Sequence, residues 1–194
     1  MEELHKVFLD RIGLQEKHYQ QFIASMHVKK LNRKESLIKA GTTCNFIAFI
    51  NSGILRSFVN RNEEECNTDF YFPYYFVSAY SSFITQTPTE HSIESLTPCE
   101  VLCISYQQYE SFIREDVEWL RFGKFIAEFF LIRKCVREIS FLKLTASERM
   151  EAMLLQYPEI EQLIPQYHIA SYLGIKPESL SRLKLLDYKN EKPE

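Results

Sequence analysis

The first 26 positions place Leu4, Val7, Phe8 and Ile12, then Phe22 and Ile23, at near-helical spacing on either side of Gly13, which predicts two short helices. From about Val28 the period changes. Leu37-Ile38, Phe46 to Ile50 and Ile54 to Val59 are strand-like runs divided by Gly41 and by Asn51-Ser52-Gly53, and the pattern continues through Thr68 to Phe72, His91 to Leu96 and Cys99 to Ile104. Short strands so spaced predict a small roll or barrel, broken at Pro73 and carrying one short helix between Val77 and Ile84, before the Thr87-Pro88 turn.

Helical spacing returns from about Ser105 and runs to about Leu142, with an interruption near Arg114 to Asp116. The stretch containing Trp119, Leu120, Phe122, Phe125, Ile126, Phe129, Phe130, Leu131 and Ile132 is apolar on more than one side. A helix lying on a domain needs one apolar stripe, so a second stripe requires another cover. A partner chain in a coiled-coil-like seam is the economical cover, and burial inside one domain is the alternative. Thr145 followed by Glu148 then has the form of a capping box opening a new helix, which should end near Tyr157-Pro158.

The stretch Ile164 to Leu183 reads as helix, tight turn, helix. Ile169 and Leu173 share a face, Ala170 is small where helices would cross, Gly174 suits the left-handed residue that ends the first helix, and Pro177 fits the first turn of the second. In that second helix Leu180 and Leu183 should point inward while Glu178, Ser181 and Arg182 share another face. Arg can grip guanine in two places and Glu can accept from cytosine, so this face suits base edges; a solvated surface ion pair is the plainer reading.

Composition narrows the function classes. The 194 residues are 45% hydrophobic and 14% aromatic, enough for a substantial core, and the net charge of −3 gives no overall pull toward nucleic acid, so any DNA-binding surface must be local. The five cysteines, Cys44, Cys66, Cys99, Cys103 and Cys135, lack any C-x-x-C pair, which predicts reduced thiols, no metal and no cofactor. There is no H-E-x-x-H, Walker-type or G-x-S-x-G sequence, and Glu63-Glu64-Glu65 reads as a solvated acidic turn, so an enzyme is not expected. The opening Met1-Glu2-Glu3 lacks the basic start and apolar run of an export signal, and the apolar run from Phe125 to Ile132 is too short to cross a bilayer. A cytoplasmic location follows as an expectation.

In the order of its elements and in the helix-turn-helix residues just quoted, the chain resembles the Crp/Fnr regulators, the family of the cyclic-AMP receptor protein and the fumarate-nitrate regulator, over essentially its whole length. The resemblance implies an α+β fold. Its parts would be N-terminal helices (1–27), a double-stranded β-helix or jelly-roll-like β-roll of cyclic-nucleotide-binding type (28–106), a long dimerisation helix (107–142) and a small C-terminal helix-turn-helix domain (143–194). The last would be of winged-helix type with little or no wing, since the residues after Lys184, from Asp187 above all, look like a tail. It implies a transcription regulator that binds near-palindromic operator DNA as a homodimer, with RNA polymerase and a small-molecule effector as further partners and no membrane. DNA contacts would fall on Gln166, Tyr167, Lys176, Pro177, Glu178, Ser179, Ser181, Arg182 and Lys184, and the dimer seam on Trp119, Leu120, Gly123, Ile126 and Phe130.

Two departures from the family pattern matter. Its recognition helix often carries an Arg-Glu pair followed by a second Arg; the matching positions are Pro177, Glu178 and Arg182, so the first Arg is missing and the half-site should differ. The effector pocket would involve Tyr71, Val77, Ser78, Ala79, Tyr80, Thr89, Glu90 and His91, yet the carboxylate and guanidinium that bind a cyclic nucleotide in the family are absent, and no Lys or Arg occurs between Arg61 and Arg114. A buried phosphate held without a cation is held weakly, so control by cyclic AMP is not expected. The aromatic residues there would favour a neutral or aromatic ligand, or simply fill the core. The competing function is a ligand-binding or protein-interaction module whose helical tail docks to protein and not to DNA.

Overall fold

The computed structural model describes residues 1–190, with side chains through Leu185. The chain divides into two compact units: residues 1–57 with 70–133, and residues 58–69 with 134 onward. The β4–β5 strand pair and helix α5 contribute to both.

The first unit opens with α1 (Glu2–Lys6), a π-helical turn (Val7–Ile12) and α2 (Glu16–Ser25), separated at Gly13 as the sequence pattern predicts. Eight strands follow: β1 (His27–Leu31), β2 (Ser36–Ile38), β3 (Phe46–Ser52), β4 (Leu55–Arg61), β5 (Glu64–Tyr71), β6 (Phe76–Val77), β7 (Ser92–Ser95) and β8 (Cys99–Ser105). They form two four-stranded sheets, ordered β1-β8-β3-β6 and β2-β7-β4-β5. Strand β8 is hydrogen-bonded to β1 on one side and β3 on the other, both antiparallel, and its near-continuous apolar run is buried accordingly. The alternating Ser92-Ile93-Glu94-Ser95 of β7 buries Ile93 and Ser95. Asn62 and Glu63 both take positive φ, as a two-residue hairpin turn between β4 and β5 demands. The short helix α3 (Tyr80–Thr85) starts three residues into the span predicted for it and ends one residue past Ile84.

The span expected for the long helix, 107–142, is divided at the interruption expected near Arg114 to Asp116. Helix α4 (Tyr106–Glu115) starts at a Ser105–Gln108 capping box, a short 3-10 turn (Val117–Trp119) capped by Asp116 intervenes, and α5 runs Leu120–Lys143. The break lets Trp119 turn into the core, where its ring lies parallel to Phe112 at 4.4 Å and meets Phe8, Phe22 and Phe122 within 6.3 Å. Phe122, Ile126 and Phe130, at i, i+4 and i+8, continue that buried stripe.

The seam expected on Trp119, Ile126 and Phe130 therefore needs correction. All three are buried in the core of their own chain; Gly123 faces Tyr109, whose hydroxyl would lie 2.7 Å from any added Cβ; only Leu120 of that set is exposed. The second stripe exists but lies elsewhere on the helix. Ile132, Val136 and Ile139 are 60%, 61% and 52% exposed, at i, i+4 and i+7.

In the second unit α6 (Ala146–Gln156) begins at the expected Thr145–Glu148 capping box and is followed by α7 (Ile160–Leu163), α8 (Gln166–Leu173) and α9 (Pro177–Asn190). Helix α9 continues past Asp187, where a tail was expected; the rest of that tail, 191–194, lies outside the described residues. No strand follows α9 among the described residues.

Candidate functional site

Helices α8 and α9 meet at Gly174, which adopts φ 71° and ends α8. A side chain there would be disfavoured by the left-handed backbone, and its Cβ would approach Phe141 to 2.8 Å. Two arginines hold the carbonyls that α8 leaves unpaired at this end. Arg149 of α6 donates from Nε and Nη2 to the Leu173 carbonyl (3.2 and 2.9 Å) and from Nη1 to that of Leu144. Arg137 of α5 donates to the carbonyls of Tyr172 and Asn67 (3.1 and 3.0 Å), with its guanidinium over the rings of Tyr172 and Phe141. A cation at a helix C-terminus also meets the negative end of its dipole, so the turn between α8 and α9 is set by charge-assisted bonds as well as by apolar packing.

The other end of the clamp is the tip of the β4–β5 hairpin. Asn67, 2% exposed, donates from its amide to the carbonyl of His168 and lies 3.1 Å from the ring Nδ1 of the same residue, while its backbone N–H donates to the Ser171 hydroxyl; Ser171 in turn donates to the Glu65 carbonyl. Sequence reasoning missed Asn67, His168, Arg137 and Arg149. Most of their partners are distant in the chain, so spacing along the sequence gives no signal for them.

On α9, Leu180 is buried and Leu183 half-buried, while Pro177, Glu178, Ser181 and Arg182 are exposed and Ser179 is half-buried. Lys176, Gln166 and Tyr167 are exposed as well. These residues gather at the start of α9 and the start of α8, on one small helical unit. Lys184 differs from its expected part as a phosphate contact, because it is half-buried and ion-paired with Glu161 of α7.

In the first unit the expected effector positions are spent on the roll itself. Val77, Ala79, Tyr71 and Thr89 are buried. The Ser78 hydroxyl donates to the Phe46 carbonyl, and Ser82 accepts from the Cys44 N–H while donating to the Thr87 carbonyl. Tyr80 stacks on Phe130 at 4.8 Å, and burial pushes its phenol pKa up. Thr89 receives the His91 N–H, His91 lies 3.5 Å from the Ser57 hydroxyl, and Glu90 is exposed. One guanidinium does enter the roll, that of Arg56 on β4, 3% exposed, but it is neutralised by Glu94 of β7 at 3.0 Å. Arg133 donates to the Phe70 carbonyl and lies over Tyr71, Tyr75 and Phe129. Cys99 and Cys103 share the buried strand β8, and no group of three metal-binding side chains occurs among the described residues. No helix among them is long and apolar enough to cross a membrane.

Residues 28–116 match the family model of the cyclic nucleotide-binding domain. No curated protein matches the chain in sequence. Among solved structures, FixK2 of Bradyrhizobium japonicum superposes with a TM-score of 0.74 at 15% identity, covering 85% of each chain. A protein of Eubacterium rectale assigned to the Crp/Fnr transcriptional regulators gives 0.71 at 13% identity, covering 91% of this chain and 85% of its own. The c-di-GMP-responsive global regulator CLP of Xanthomonas campestris gives 0.69 at 16% identity, over 91% and 93%. At these identities the likeness is one of fold. Residues 28–116 thus make up a cyclic nucleotide-binding domain, and the chain as a whole has the fold of the Crp/Fnr transcription regulators.

Proposed function

We propose that the protein is a sequence-specific DNA-binding transcription regulator that acts as a homodimer on near-palindromic operators, independently of cyclic AMP. The observation that carries this reading is the α8–α9 pair: a turn at Gly174 held by Arg137 and Arg149, with Glu178, Ser181 and Arg182 exposed together on α9. In the major groove, Arg182 would grip guanine and Glu178 accept from cytosine, with Ser181 beside them, while Lys176, Gln166 and Tyr167 would hold phosphates. The seam would be the exposed stripe Ile132, Val136 and Ile139 of α5, whose spacing suits a two-helix contact. Two such heads reach successive major-groove faces about 34 Å apart.

Independence of cyclic AMP rests on the same domain that the family model matches. Its Ser78 and Ser82 hydroxyls are spent on backbone groups and its buried cation, Arg56, is paired with Glu94, so a cyclic phosphate would have to displace bonds already made.

Selection of purified protein on a randomised duplex library at moderate salt, with no ligand added and Arg182→Ala alongside, tests the reading. Enrichment of a palindrome whose guanine preference is lost in the variant, at a cost of about 1–3 kcal/mol on the selected site, is the expected result. Sequence-blind binding that Arg182→Ala leaves intact would overturn it. Val136→Glu should give a monomer in sedimentation and lose the palindrome while still folding.

A second reading, a module that docks to protein, has its own support. Leu155 and Leu163 are 85% and 44% exposed on α6 and α7, an apolar surface that DNA would not use. Under that reading Arg182→Ala changes nothing and Leu155→Glu abolishes the regulatory effect.

A further inference from the structure

The first unit holds a cleft of about 480 Å³ lined by β1, β2, the segment leading into β3, and β8; none of the effector positions discussed above lines it, although its Thr42 and Thr43 pair with Thr89 and Pro88. It contains no carboxylate, while it presents Lys29, Lys39 and His27. On β1 the alternation of a strand sends His27 and Lys29 to one side and Lys30 to the other. Lys30 meets a carboxylate, Glu100 at 3.9 Å. Lys29 and Lys39 form no ion pair among the described residues, an arrangement that leaves two cations facing a concave surface without a counter-charge. Thr43, Asn45 and Ser105 add neutral hydrogen-bonding groups at the rim, and Leu37 and Phe46 supply an apolar floor.

The Cys103 thiol also lines this cleft. Burial pushes its pKa up to about 11, and the positive charge of Lys29 opposes that rise. The thiol is therefore neutral and offers no counter-charge to the lysines. Near the expected effector positions the cations are already engaged, Arg56 with Glu94 and Arg133 with the Phe70 carbonyl.

We propose that this cleft binds a small phosphate-bearing molecule, with Lys29 and Lys39 pairing with the phosphate and any organic body resting on Phe46. Lysine suits the task as a compact point charge on a flexible stem that can follow a tetrahedral oxyanion. The volume accommodates a mononucleotide-sized ligand, held by a different set of side chains from the expected effector positions.

Isothermal titration of the full chain at low salt, with inorganic phosphate, AMP and uncharged adenosine in separate arms, tests the assignment. Saturable binding of AMP or of phosphate, weakened about tenfold or more in Lys29→Gln/Lys39→Gln and unchanged in Lys30→Gln, is expected. Equal binding of phosphate and AMP would identify the free oxyanion as the ligand, and AMP alone a phosphate ester with its body on the apolar floor. Adenosine binding as well as AMP, affinity unaffected by the double substitution, or no saturation of any arm up to about 10 mM would each overturn the proposal. Both lysines are on the surface, so circular dichroism of the double variant should match the parent. A loss of binding with an unchanged spectrum therefore reports the site.

Discussion

The two units of this chain are held together by different physics. In the first, Phe8, Phe22, Phe112, Trp119 and Phe122 form one aromatic cluster, all less than 6% exposed, and stability there follows buried apolar area. In the second, the short helices α7 and α8 bury a handful of apolar side chains, and the connections that fix their order are polar: Arg137 and Arg149 on carbonyls, Asn67 against His168, Ser171 on Glu65. An apolar core tolerates a shift of a few tenths of an ångström at modest cost. A guanidinium on a carbonyl is directional, and losing one partner strands the other. The first unit is thus built for bulk stability, whereas the second is built for a specified geometry.

Breaking the first unit should have the largest effect. Phe122→Ala leaves a cavity among five aromatic rings and should cost about 3–5 kcal/mol, read as a drop in the denaturant midpoint. Arg137→Met keeps much of the side-chain volume and the contact with Phe141 but removes two charge-assisted bonds. The expected loss is about 2–3 kcal/mol, confined to the second unit and visible as faster amide exchange in α8 while β8 stays protected. Asn67→Ala should act in the same place more weakly, by about 1–2 kcal/mol, because the His168 carbonyl and the neighbouring ring lose a buried donor. If Arg137→Met instead lowered protection evenly through both units, the contrast between them would fail.

The smallest effect is a pH dependence in the first unit. The Asp116 carboxylate accepts the backbone N–H of Glu118 and lies against His18 and Lys17, which together lower its pKa from 3.8 to about 2. Because the folded value is the lower one, the stabilisation is fully present above the unfolded pKa and is lost as pH falls from about 4 through about 2. Asp116→Asn should therefore be less stable than the parent at neutral pH, and the gap should close as the solution is acidified through that window. A gap that widened in acid would contradict the assignment. Asp116 is partly exposed, so the difference should be small.

Much of the architecture could be read from local pattern. The change from helical to strand spacing near Val28, the Thr145–Glu148 box and the Gly174 turn are all short-range signals, governed by backbone sterics and by hydrogen bonds to residues three or four positions away. The faces of α5 were harder. A helix apolar on two sides reveals that both must be covered but not which side the chain covers itself, so spacing alone does not separate the self-buried Trp119, Ile126 and Phe130 from the exposed Ile132, Val136 and Ile139. The interruption near Asp116 was legible, but not that the 3-10 turn following it carries Trp119 into the core.

The sequence by itself determined the order of helical and strand segments, that the second helix of the C-terminal pair would carry Glu178, Ser181 and Arg182 on one face, and that no Lys or Arg lies between Arg61 and Arg114. Each of these depends on residues close in the chain, where spacing alone decides which side chains share a face. Only the tertiary structure decided that Arg137 and Arg149 cap α8, that Asn67 reaches His168 across 101 positions, that Lys184 is taken by Glu161, and that Lys29 and Lys39 share one cleft without a carboxylate. The physical reason is that a charge or a buried amide has no preferred partner until the fold brings one within reach, and its role is then set by distance rather than by order along the chain.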